Sequence, residues 1–303
     1  MIIDGKKIAE EVLGEVANEV KVTQQPLKLL AVLIGQHPGS KKFLELKGKA
    51  AQKVGIEFEM QEFGEDLTEG VFLSRLKTLV AQPKYSGVLI ELPVPKRYPT
   101  EAALNAVPLE KDVDVLSEKA QKNFFSGDFS ILPPAVEAVK IIFEKHNIDV
   151  RGKKVTVFGQ GLLVGKPIAY WLYQQGVMVS VVNEFTKNPK QYAQTADILI
   201  SGVGKAHLIK EDMVKEGAIV IDFGYERIEG PDFSSRLNRD RKIEDPRLQS
   251  NREKMVGDVD FEKIKDRASL ITPVPGGVGP IVIAAVLKNL VKLAGKEKPA
   301  GRV

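Results

Sequence analysis

Cysteine is absent from the 303 residues, which excludes disulfides, thiolate metal sites and cysteine nucleophiles outright. Histidine is scarce. His37, His146 and His207 are far apart along the chain and suggest neither a histidine metal site nor a Ser-His-Asp triad. No apolar run reaches the ~18 residues that a membrane-spanning helix needs, and no signal peptide opens the chain. Charge of one sign is lacking as well. Lysine and arginine number 44 against 40 aspartates and glutamates, and four of the cations fall in the last twelve residues with a single anion. The body is therefore near neutral and gives no case for nucleic acid or a membrane surface as partner. With 43% hydrophobic and 28% charged residues, the rest reads as an ordinary globular chain with a sizeable core. A cytoplasmic protein without a metal is the expectation.

Short apolar runs alternate with amphipathic ones, the pattern of an α/β protein built on mostly parallel sheets. Strands are expected at Leu29–Ile34, Glu57–Met60 and Gly87–Ile90, with helices at Lys6–Val22, Ser40–Val54 and Thr68–Ala81. A second series follows Gly152, with strands at Val155–Phe158, Val177–Val182, Asp197–Ile200, Ala218–Ile221 and Ser269–Ile271. Uninterrupted β-rich runs spaced by helices read as buried parallel strands of a doubly wound sheet. Ile228–Val256 breaks the rhythm, being polar, charged and without a period, and reads as a long surface excursion. The tail Gly295–Val303 reads as a frayed, solvated end.

The strand Val155–Phe158 runs into Gly159-Gln160-Gly161-Leu162-Leu163-Val164-Gly165-Lys166-Pro167 and then a helix. The spacing is one residue longer than the usual dinucleotide fingerprint, but its logic holds. Glycines let the backbone approach a pyrophosphate, and a helix start offers free N–H groups and a positive dipole end. Pro167 suits a first helical turn. A ligand-free strand-to-helix turn is the plain alternative. Glu184, ending the next strand, stands where an acid takes the adenosine ribose hydroxyls and would repel a 2′-phosphate, which tilts NADP or NAD toward NAD. Tyr225, just past the strand Ala218–Ile221, completes the candidate cofactor set. A second cluster, Thr272-Pro273-Val274-Pro275-Gly276-Gly277-Val278-Gly279-Pro280, reads as a stiff hinge, as backbone lining an active site, or as both.

At this cluster the chain resembles the bifunctional methylenetetrahydrofolate dehydrogenase/methenyltetrahydrofolate cyclohydrolase family. Ile271–Pro280 carries the likeness, supported by Gly87–Pro95, Lys111–Asp114, Val164–Pro167, Gly257-Asp258-Val259-Asp260-Phe261 and the opening Ile3–Lys6. The resemblance implies an N-terminal α/β substrate domain over 1–121 and 281–303, a Rossmann-like dinucleotide-binding domain over 122–280, and a last helix returning to the first domain. It also implies a tetrahydrofolate derivative as substrate, hydride transfer to NADP or NAD, cyclohydrolase activity and a homodimer. Carried over residue by residue, the catalytic positions are Lys47, Glu91 and Asp114. Phe43, Leu92, Pro93, Gly276 and Gly277 would contact the folate. Gly159, Gln160, Gly161, Gly165, Lys166 and Pro167 would cradle the cofactor.

Several polar contacts depart from the family pattern. A tyrosine is replaced by Phe43, a glutamine by Glu91, the glycine after Asp114 by Val115, and a threonine by Val282. In the dinucleotide half a serine becomes Gly161 and a histidine–serine pair becomes Asn183-Glu184. Phe43 lies four residues before Lys47, one helical turn away on the same face. Taken alone, that helix would put Phe43, Ala50 and Val54 in its core stripe and leave Lys47 reaching out from the edge. A carboxylate at Glu91 would favour the ammonium form of the lysine and bias the enzyme toward dehydrogenation. A Glu91 buried enough to be protonated would instead imitate the amide. A re-specialised substrate pocket and a silent, ligand-binding relative both remain open on these substitutions.

Overall fold

A computed structural model describes residues 1–23, 25–36, 38–229 and 253–295. They pack as two units, Lys7–Lys145 with Pro280–Val303 and Met1–Lys6 with His146–Gly279. Of the tail Gly295–Val303 expected to fray, residues 296–303 lie outside the described ones.

The first unit is built on a three-stranded parallel sheet, β1 (Lys28–Ile34) between β2 (Glu57–Phe63) and β3 (Gly87–Ile90). Beyond Lys28 every residue of β1 is buried, as an uninterrupted apolar run in a central parallel strand requires. Around the sheet lie α1 (Gly5–Val22), α2 (Pro38–Lys53), α3 (Glu69–Val80), the short α4 (Thr100–Leu104), α5 (Glu118–Ser126) and α6 (Pro134–Lys145). Thr68 and Ser117 cap α3 and α5 by accepting from N–H groups in the first turn. Leu30, Val32, Ile34, Phe72, Leu76 and Tyr98 lie at the heart of one core. The last helix, α10 (Val278–Ala294), packs here from Pro280 onward, as the resemblance implied. Its buried Asn289 donates to the carbonyls of Val113 (2.9 Å) and Leu132 (2.8 Å), and its Lys288 pairs with buried Glu137 at 2.6 Å.

The second unit is a five-stranded parallel sheet in the order β10-β7-β6-β4-β5: Leu270–Ile271, Ile219–Asp222, Ile198–Ser201, Lys154–Phe158 and Met178–Val182. From β4 the chain steps to β5 on one side and then to β6 on the other. That reversal opens a crevice at the carboxyl ends of β4 and β6, where α/β sheets bind ligands. Helices α7 (Gly165–Gln174), α8 (Pro189–Gln194) and α9 (Phe261–Ile264) complete the unit. The chain start joins it as well, with the amino terminus donating to Ser269 and the Ile3 N–H to Ile271, both at 2.8 Å.

One sequence expectation needs correction. The stretch 228–256 is not all irregular: β8 (Glu226–Glu229) and β9 (Glu253–Val256) pair antiparallel, Arg227 opposite Met255 and Ile228 opposite Lys254. Charged residues on both strands hide the alternation that would announce them. Residues 230–252 between them lie outside the described ones. Among the described residues no helix is long and apolar enough to cross a membrane.

Asn289 generates a test of the first unit. Asn289→Leu keeps the volume but leaves two buried carbonyls without donors, and should cost about 2–4 kcal/mol. Urea unfolding should show the loss as an earlier midpoint; an unchanged midpoint would mean the two carbonyls find other donors.

Candidate active site

The buried stripe of α2 is Leu44, Lys47, Gly48 and Ala51, spaced by three and four residues. Of the stripe Phe43, Ala50 and Val54 that the sequence suggests, Val54, just past the helix, is buried, whereas Phe43 and Ala50 are half-buried. Gly48 explains the rotation: a Cβ there would lie 2.7 Å from the Phe58 ring, so α2 presses its glycine against β2. The turn of the helix that follows carries Lys47 inward rather than to the rim. Lys47 is 6% exposed, and its ammonium donates to Glu91 at 2.9 Å. Phe43, half-buried one turn earlier, places its ring 5.0 Å from the same nitrogen.

Glu91 directly follows β3, and its N–H is held by the Val32 carbonyl of β1. After it the Leu92–Pro93 peptide is cis, with Leu92 half-buried against the core and Pro93 exposed. The segment carrying Asp114 runs beside β3, with Asp112 bridged to Val88 in parallel. That register brings residue 114 level with the end of β3, where Glu91 begins. Asp112 is buried and accepts from the N–H groups of Leu116 (3.0 Å) and Ser117 (2.7 Å), closing the loop around Asp114. Within that loop Val115 has φ of 59°, the left-handed region that costs a β-branched residue ~1–3 kcal/mol. The substitution of the expected glycine therefore falls where glycine alone is unstrained.

Asp114 sits in the field of this cluster. Burial pushes its carboxyl from an ordinary 3.8 up to about 6; nearby Lys47 opposes the rise, and the carboxylates of Asp112 and Glu91 add to it. Lys47, Glu91, Asp114 and Phe43 thus form one constellation of two acids, one cation and an aromatic face. Bringing them together required α2, the end of β3 and the loop after Lys111.

The remaining candidates belong to the other unit. Gly159 has φ of 97°, and a Cβ on it would meet the Gly202 carbonyl at 2.9 Å. A Cβ on Gly165 would lie 2.0 Å from the Gly159 carbonyl, and one on Gly202 2.5 Å from Val164. Gly159 and Gly165 are thus demanded by backbone packed on backbone, and Gly202 by the Val164 side chain. Gly161 is different: a Cβ there would meet nothing within 4 Å, so the open space belongs to a ligand or to solvent. Helix α7 begins at Gly165 without a side-chain cap, and the Lys166 N–H donates to the Gly161 carbonyl. Pro167 is buried in the first turn, whereas Gln160 and the Lys166 side chain are exposed. Asn183 donates to the Gln160 side chain at 3.0 Å and joins the ends of β4 and β5; Glu184 beside it is exposed, as is Tyr225. In the second glycine cluster Val274–Pro275 is cis, and Gly276 has φ of 100°. The Gly277 N–H bonds the Pro273 carbonyl at 2.9 Å, and the Gly277 carbonyl leaves no room for a Cβ on Gly5. A turn this free of side chains, with an uncapped helix start and open space at Gly161, fits the phosphates of a dinucleotide.

Sequence reasoning missed three buried polar groups in this unit: Ser201, Asp222 and Asp258. Asp222 and Ser201 end apolar strands, where a single polar residue among four is the signal that could have marked them. Among the described residues no cluster of acids and histidines could hold a metal ion.

Comparison with known proteins gives the following. Residues 3–114 match the model of the tetrahydrofolate dehydrogenase/cyclohydrolase catalytic domain, and residues 133–298 that of the NAD(P)-binding domain of the same family. The chain is 36% identical over 293 residues to the bifunctional protein FolD of Hydrogenobaculum sp., covering 96% of this chain and 97% of that one. The crystal structure of the bifunctional enzyme FolD, a methylenetetrahydrofolate dehydrogenase/cyclohydrolase from Campylobacter jejuni, superposes with a TM-score of 0.85 at 32% identity, covering 97% and 98%. The FolD enzyme of Trypanosoma brucei, complexed with NADP and an inhibitor, gives 0.86 at 27% identity, covering 97% of each chain.

The raised carboxyl of Asp114 makes a signed prediction. In the folded state it holds its proton to about pH 6, whereas unfolded it would lose it near 3.8. Its contribution to stability is complete at low pH and is lost as the pH rises through about 6. Asp114→Asn should therefore raise the melting temperature at pH 7–8, by ~1–3 kcal/mol of stability, and change little at pH 4. Melting curves across pH 4–8 that run parallel for the two proteins would refute the raised carboxyl of this acid.

Proposed function

The chain belongs to the tetrahydrofolate dehydrogenase/cyclohydrolase family, and on that premise we propose how its own residues carry the two activities. It is a methylenetetrahydrofolate dehydrogenase with cyclohydrolase activity, acting on the one-carbon bridge of a tetrahydrofolate. The observation that carries the assignment of roles is the Lys47–Glu91 pair, held at 2.9 Å with Asp114 in its field. The unit holding this pair binds the folate, and the unit holding the glycine turn binds the dinucleotide.

A nicotinamide dinucleotide supplies the hydride acceptor when bound. As the hydride leaves the one-carbon bridge, that carbon and its two nitrogens become cationic. Glu91 offers a carboxylate to this charge while its partner Lys47 keeps it fixed in place. Phe43 presents a flat face for stacking, and ionised Asp114 accepts hydrogen bonds from pterin N–H groups. Leu92 and Pro93 line the same end of β3, and Gly276 and Gly277 offer backbone without side chains. Cyclohydrolysis asks something different: water must add to the methenyl carbon and its proton must go to a base. Lys47 is the basic group of the cluster, and it can take that proton only after giving up its own while still touching a carboxylate. Hydride transfer has no such requirement. The pair therefore biases the enzyme toward dehydrogenation.

Gly159, Gln160, Gly161, Gly165, Lys166 and Pro167 hold the pyrophosphate side of the dinucleotide, with Tyr225 nearby in the same unit. Glu184 supports NAD as a cofactor bound at least as well as NADP, because its exposed carboxylate has no ion-pair partner among the described residues. Homodimerisation and a cytoplasmic location belong to the same proposal. Tyr173, Met178 and Phe185, exposed beside the open edge strand β5, supply apolar surface that a second copy would cover.

Two measurements test these roles. Lys47→Met should lower cyclohydrolase turnover by ~10²–10⁴ and dehydrogenase turnover much less, while Glu91→Gln should raise cyclohydrolase turnover. Vigorous wild-type cyclohydrolysis at alkaline pH, indifferent to Glu91→Gln, would sink the bias argument. Titration of each dinucleotide should find NAD at least as tight as NADP, and Glu184→Ser should shift the ratio about tenfold toward NADP, ~1.4 kcal/mol. Unaltered preference in that variant would mean the carboxylate faces away from the ribose.

A further inference from the structure

Gly257-Asp258-Val259, a run that the roles above leave unused, meets the end of β7 in a buried polar knot. Asp258 is fully buried and accepts three hydrogen bonds: from the Ser201 hydroxyl (2.6 Å) and from the N–H groups of Val203 and Lys205 (both 2.7 Å). Asp222, 3% exposed, accepts from the N–H groups of Gly224 (2.7 Å), Val259 (2.9 Å) and Asp258 itself (3.2 Å). Ser201 and Asp222 are register partners on β6 and β7, so the two carboxylates meet at the carboxyl ends of adjacent strands. Two glycines exist to admit them. A Cβ on Gly224 would lie 2.3 Å from the Asp258 carboxylate, and one on Gly257 2.0 Å from that of Asp222.

Among the described residues neither carboxylate forms an ion pair; its donors are backbone N–H groups and one hydroxyl. That arrangement is costly. Burial pushes the Asp222 carboxyl up to about 7, with the charge of Asp258 adding to the rise and the N–H donors of Val259, Gly224 and Asp258 opposing it. A folded-state value raised this far means stability is lost as the pH climbs through about 7. Apolar side chains would serve a purely structural knot better. What the carboxylates do is gather the N–H groups of Val203 and Lys205, in a loop that the Gly202 N–H ties to the Phe158 carbonyl at its start. That loop, Gly202–Lys205, packs against the glycine turn: the Gly202 carbonyl touches the Cβ position of Gly159, and Val164 covers Gly202.

We propose that Asp258, backed by Asp222, is a positioning residue for the dinucleotide, fixing the Gly202–Lys205 backbone as the wall of the crevice that faces the glycine turn. This rests on the reading that the crevice binds a dinucleotide. An asparagine in place of Asp258 has the same shape, but its amide must turn an N–H toward one of the donors it now accepts from. The loop then relaxes while the substrate cluster around Lys47 keeps its residues.

The test is a titration of the full chain with NADH and NADPH, beside steady-state kinetics. Asp258→Asn should weaken dinucleotide binding about tenfold or more, with kcat at saturating dinucleotide and the folate KM within about threefold of wild type. Ser201→Ala, which removes one of three donors, should weaken it in the same direction by about threefold. Val214→Ala, a core lesion of the same unit, should lower the melting temperature and leave dinucleotide affinity alone. Unchanged affinity in folded Asp258→Asn overturns the proposal. If that variant does not fold, unchanged affinity in Ser201→Ala overturns it instead, as would a loss of affinity in Val214→Ala equal to that in either variant. A wild-type chain that binds no dinucleotide would refute the functional reading rather than this inference.

Discussion

Lys47 and Glu91 meet at 2.9 Å with side chains 8% and 12% exposed, and the chemistry proposed for the first unit hangs on that contact. A charged pair so far from water survives only when its geometry is fixed from both sides. On one side Gly48 lets α2 press on Phe58 and turns the lysine inward. On the other, the Val32 carbonyl holds Glu91 at the end of β3. Neither residue could be moved by a turn or a register step without stranding the other charge. Asp114 shares the field of the pair, but its raised carboxyl comes from burial, which outweighs the opposing charge of Lys47.

Elsewhere the chain holds buried carboxylates that pair with no cation among the described residues. Asp112 closes the loop around Asp114, and Asp222 and Asp258 gather the loops after β6 and β7; in all three cases the donors are mainly N–H groups of loop backbone. A loop has unpaired N–H groups by nature, and a carboxylate can accept several at once. It offers a short chain segment a fixed shape without a strand or helix. The cost is desolvation, visible in the upward shifts of Asp112 and Asp222. Such devices stand beside the segments proposed to face ligands, where shape matters more than stability.

The departures from the family pattern that the resemblance implies meet different physical surroundings. Gly161 replaces a side chain over open space, so nothing in the protein resists it. Val115 does the reverse, placing a β-branched residue at φ 59° in a loop already clamped by Asp112. Phe43 keeps an aromatic ring beside the ammonium while giving up a hydroxyl. Glu91 puts a carboxylate beside Lys47 where the resemblance implies a neutral amide.

Much of the architecture was legible from local pattern alone. The apolar runs at Leu29–Ile34 and Val155–Phe158 became central strands because only a doubly covered parallel sheet can bury them on both faces. The glycine turn was legible because its residue types serve backbone approach and little else. Hairpin strands β8 and β9 were not, since their charges mask the period. Nor was the inward turn of Lys47: in a helix with five lysines, composition cannot say which one the packing of Gly48 against β2 will bury. The sequence by itself determined strands, helices, the glycine turn and the absence of thiol chemistry, because each depends on near neighbours and on residue type. Only the tertiary structure decided that Lys47 pairs with Glu91, that Asp114 shares their field and that Asp258 meets Ser201 across 57 residues. Those contacts join segments far apart in the chain, and what fixes them is the packing of whole elements, which no local window contains.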